Sequence, residues 1–97
     1  KLITPEILYK SLDYVGGDRE KTHGNKKFNH DNIARLWSGY LQNKFQGVSY
    51  SVNAKDVAAM MVLLKIARTQ AGNHNIDDYI DACGYAAIAG EIAETEN

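Results

Sequence analysis

Ninety-seven residues with a formal net charge of −1 and 44% hydrophobic side chains specify one small folded domain and exclude a disordered chain. The balanced charge supplies no overall field for nucleic acid or a membrane surface, so any anion site must be local. The single cysteine, Cys83, excludes an internal disulfide and fits a reducing compartment. No leader segment is expected, and the longest apolar run falls far short of the ~20 residues that span a bilayer.

In chain order, Thr4 is a good N-cap, Pro5 suits a first helical position and Glu6 favours the positive helix end, so a first helix is predicted there. Ile7, Leu8, Leu12 and Val15 supply its apolar stripe, and Gly16-Gly17 ends it. Residues 18–30, DREKTHGNKKFNH, read as a basic loop. A second helix is predicted from about Asn29–Asp31 to Phe45, with Ile33, Leu36, Trp37, Tyr40 and Leu41 at helical spacing. Residues 46–52 form a short extended connector, too little for a sheet. Asn53, with Asp56 three residues on, then caps a third helix in a capping-box pattern. That helix ends near Ala71-Gly72, and a fourth runs from about Ile76 to Ala93, leaving 94–97 as a frayed tail. The predicted class is all-α, a single domain over 1–97 with a long antiparallel hairpin of the third and fourth helices. A chain this small buries a limited core, so a homo-oligomer is expected.

The third helix carries the feature that most needs explaining. Residues 57–67 read VAAMMVLLKIA, apolar on every side of the wheel, which predicts burial all round. Lys65 then sits where an unpaired ammonium is costly. A turn centred near Asn73 sets at one height those residues whose numbers sum to about 146. Arg68 then faces Asp78 and Lys65 faces Asp81, two charge-matched couples, with Met61 expected to meet Tyr85 one layer on. Each couple member is three residues from its neighbour on its own helix and shares its face. Two uses of this polar layer stay open. It is a structural ion-pair network that fixes register, or it is a ligand or metal site projecting into a helical bundle.

THG (22–24), IARLWSGYL (33–41), DVAAMMVLLKIAR (56–68) and DDYIDACGYAAIAGE (77–91) together resemble a family of small bacteriophage domains of unassigned function. The resemblance covers roughly residues 18–93 and implies a place in the host cytoplasm. Such domains look distantly like nucleotide-modification-associated phage domains and the all-α, MazG-like nucleotide pyrophosphohydrolases. The pyrophosphohydrolase pattern has one helix with EExxE and a later one with ExxD, whose carboxylates hold Mg²⁺. Here Asp78-Tyr-Ile-Asp81 reproduces only the acidic i,i+3 spacing, EExxE is missing, and the facing helix offers cations. A single Mg²⁺ on Asp78 and Asp81 stays compatible with this sequence, since Mg²⁺ keeps several waters. No cofactor is required.

Other candidate groups are local. His23, Lys26 and Lys27 precede the second helix, whose free N–H groups favour an anion, and Gly24 would let backbone approach a ligand. The three histidines form no HxxxH pair, so zinc is not expected. Cys83 lacks a nucleophile signature and reads as an inert thiol, and no catalytic residue is assigned. Trp37 and Tyr40 are read as core. Tyr79, on a different side of its helix from Asp81, is a candidate for stacking on a ligand or touching a subunit. Gly84, Ala86, Ala87, Ala89 and Gly90 suit close helix packing.

Three functions follow. The first is a phage accessory protein that binds a phosphate-bearing nucleotide without turnover, as a modulator or sequestering module, with host defence signalling as one target open to it. Its ligand set would be His23, Lys26, Lys27, Lys65, Arg68 and Tyr79. The second is a divergent Mg²⁺-dependent pyrophosphohydrolase using Asp78 and Asp81. The third is a protein-interaction module that inhibits a host protein, its polar layer purely structural. The first is favoured because it uses the cations and needs no missing motif. Direct DNA binding and membrane association are not expected, since no basic stripe or recognition helix is present.

Overall fold

The computed structural model describes residues 1–15, 26–47, 49 and 51–96. Four helices are present: α1 (Thr4–Val15), α2 (Lys26–Lys44), α3 (Ala54–Thr69) and α4 (Ile76–Thr95). No strand occurs among the described residues. The all-α class and the α3–α4 hairpin agree with the sequence, and α3 and α4 share the largest helix–helix contact.

The hairpin is built by local chemistry. The Asn53 side chain accepts from the Asp56 backbone N–H at 2.9 Å, and Asp56 Oδ2 accepts from the Asn53 N–H at 3.0 Å. This is the expected capping box, satisfying two otherwise unpaired donors. Past Gln70, Gly72 adopts φ +75°, a left-handed conformation that suits glycine after a helix. Asn75 then caps α4 through the Asp77 N–H, at 3.0 Å.

Three boundaries differ from the sequence expectation. At α1, the Ile7 N–H already donates to Ile3 O and the Ile3 N–H donates to Glu6 Oε1, so the cap falls one residue before Thr4. At α2, helix begins at Lys26, so 26–30 are helical and not loop. Lys27 pairs with Asp31 one turn on at 3.3 Å, and the His30 ring bonds Lys26 O at 2.8 Å; both contacts favour the added turn. At the C-terminus, α4 continues through Thr95, whose hydroxyl donates to Ile92 O at 2.7 Å. Residues 94 and 95 are therefore helical.

The helix wrapped on most sides is α4, not α3. Its buried residues, Asp78, Ile80, Ala82, Gly84, Ile88 and Ile92, point in several directions. On α1 the inner row is Ile7, Ser11 and Val15, while Leu8 and Leu12 face out. Gly84 makes the α1–α4 approach possible: a Cβ there would lie 2.9 Å from Val15 Cγ1. On α3 only Ala54, Val57 and Ala58 are buried. Met60, Leu63, Leu64 and Ile66 are exposed, Leu63 to 66%, which corrects the expectation of burial all round. Tyr40 is likewise 65% exposed and Leu36 67%, so Tyr40 is not core. The buried apolar residues are all Ala, Val or Ile, and every described Leu is at least partly exposed. α4 and α2 both pack against α3, yet they leave the side that carries Met60, Leu63 and Ala67 uncovered, so an all-round apolar helix is bare there.

Candidate functional site

The polar layer lies where hairpin register places it. Lys65 Nζ is 3.1 Å from Asp81 Oδ2, and Arg68 Nε is 3.2 Å from Asp78 Oδ1. Both couples form as the loop length predicts. Their environments differ. Lys65 and Asp81 are half-buried, with side chains 13% and 29% exposed. Asp78 is 6% exposed while its partner Arg68 is 55% exposed. Asp78 also occupies the first turn of α4, where the helix dipole favours a carboxylate. Each acid is thus matched to a cation, and the layer carries no net formal charge.

The remaining sequence candidates lie elsewhere. Lys26 Nζ reaches Val15 O at 3.4 Å and Glu91 at 3.8 Å; Lys27 reaches Asp31 at 3.3 Å and Glu96 at 3.9 Å. Glu91 and Glu96 sit near the end of α4, and Asp78 near its start. At 1.5 Å per residue the two basic groups are about 20 Å apart. They do not converge on one ligand. His23, with the rest of THG, lies outside the described residues. Tyr79 is exposed at the start of α4, beside the His74 ring at 6.2 Å between centroids. A cleft of about 310 Å³ between α1 and α4 is lined by Lys10, Asp13, Asp77 and Ile80, none of them in the predicted set.

A metal at Asp78 and Asp81 would share its ligands with Arg68 and Lys65. Among the described residues no three His, Cys, Asp or Glu side chains cluster as a metal would need. The residues present therefore fit a charge-compensated layer better than an Mg²⁺ site.

One buried polar group was missed in the sequence. His30, placed there in a loop, is 8% exposed and packs edge-on to Tyr85 at 6.3 Å. Lys26 O can only accept, so Nδ1 carries the hydrogen of that bond and Nε2 of the neutral ring is an acceptor. Nε2 is buried without a partner among the described residues. The i,i+4 spacing of Lys27 and Asp31 was the available signal that His30 is helical.

The model of a domain of unknown function, DUF6378, matches residues 6–93. The chain belongs to this family. Similar proteins to this DUF6378 domain include the Gene 55 protein of Mycobacterium phage L5, 38% identical over 91 residues, covering 94% of this chain and 54% of the relative. The Gene 55 protein of Mycobacterium phage D29 is 33% identical over 92 residues, covering 95% and 56%. The chain thus spans about half the length of the curated relatives it matches. No solved structure matches. No described helix is long and apolar enough to cross a membrane.

Proposed function

We propose that this DUF6378 domain is a protein-interaction module, part of a phage accessory protein that docks on a protein in the host cytoplasm. The observation that carries this is the distribution of the large side chains: the buried apolar residues are only Ala, Val and Ile, while Leu8, Leu12, Leu36, Tyr40, Leu63 and Leu64 are exposed. Scattered exposed apolar residues are ordinary, but runs of large ones on helix faces mark interaction surfaces. Leu8 with Leu12, Met60 with Leu64, and Leu36 with Tyr40 each form an i,i+4 couple.

Nucleotide capture at the polar layer has one supporting feature. Arg68 is held through Nε by a buried carboxylate while its side chain is half exposed. A guanidinium fixed in this way is suited to a phosphate. Against it, Asp78 already neutralises the charge, and Lys26 and Lys27 are about 20 Å away along α4. Mg²⁺-dependent hydrolysis has less support still, since Asp78 and Asp81 both face cations.

Two measurements separate these activities. A photoreactive residue at position 12, 36 or 63, placed in the chain expressed in cells, is expected to give a discrete protein adduct from at least one position. Nucleoside mono-, di- and triphosphates, with or without Mg²⁺, are expected to leave the melting temperature unchanged. A ligand at 100 times its dissociation constant would add ~2.7 kcal/mol, so a nucleotide shift without any adduct would overturn the proposal.

A further inference from the structure

We draw no further inference here: the strongest candidate, the cleft of about 310 Å³ between α1 and α4 lined by Lys10, Asp13, Asp77 and Ile80, sets three exposed charged side chains over a buried isoleucine, and nothing else in the structure shows what ligand would fill it.

Discussion

Replacing Arg68 by methionine removes the cation beside Asp78 and keeps most of the apolar stem. The two ends of this ion pair sit in unlike surroundings, 6% exposed for Asp78 and 55% for Arg68. Breaking a buried pair at one end costs ~3–5 kcal/mol, whereas an exposed pair is worth ~0–1 kcal/mol. The helix dipole at the start of α4 offsets ~0.3–1 kcal/mol of the stranded carboxylate. Arg68→Met is therefore expected to cost ~2–3 kcal/mol, between those limits. Asp78→Asn strands instead a guanidinium that water already reaches, for a loss of ~1 kcal/mol. A domain of this size loses ~4–8 °C per kcal/mol. Thermal and urea unfolding, followed by circular dichroism, should show Arg68→Met falling roughly 10–20 °C and Asp78→Asn far less. A loss for Asp78→Asn that equals or exceeds that of Arg68→Met would refute the reasoning from burial.

Further expectations concern other parts of the fold. Lys65→Met should cost only ~1–2 kcal/mol, because Asp81 is 29% exposed and water takes over part of the lysine's role; a loss above that range in urea unfolding would mean that Asp81 is far less hydrated. Gly84→Ala places a Cβ 2.9 Å from Val15 Cγ1, an overpacking cost of ~1–3 kcal/mol, partly offset by the ~1 kcal/mol helix preference for alanine. A net loss that Val15→Ala relieves in the double variant is expected, and additive losses would count against a clash. Ser38 Oγ both donates to Val52 O at 3.2 Å and accepts from Val52 N at 3.0 Å, so Ser38→Ala should cost ~1–2 kcal/mol; an unchanged unfolding midpoint would show that water replaces both bonds. Asn53→Ala removes half of a capping box and should cost ~1 kcal/mol, with calorimetry as the check.

The hairpin was legible in the sequence because a short loop fixes register, and register then fixes which charges meet. Lys65 with Asp81 and Arg68 with Asp78 needed no other information. The capping box at Asn53 and Asp56 was equally local. What covers an apolar side chain is not local. Leu63 and Ile80 read alike in the sequence, yet one faces water and the other is buried, since that depends on which helices pack against α3 and α4. Tyr40 was misread as core for the same reason. The first turn of α2 was hidden by its polar composition, and with it the burial of His30. The candidate site was legible as two ion pairs. The sequence could not reveal that Lys26 and Lys27 pair near the far end of α4, because that follows from how α2 lies against α4.

The hairpin also sets an order of assembly. Its ion pairs join residues 10 and 16 positions apart, from 68 to 78 and from 65 to 81, so little chain entropy is lost in closing them. The contact of Val15 with Gly84 spans 69 positions and depends on a surface that α4 must already present. Local contacts form early in fast-folding helical domains. The hypothesis is that α3 and α4 pair first and α1 seals the far side of α4 late. Substitutions at Lys65 should then slow folding, and those at Gly84 should mainly hasten unfolding; the reverse pattern in stopped-flow kinetics would place α1 in the nucleus.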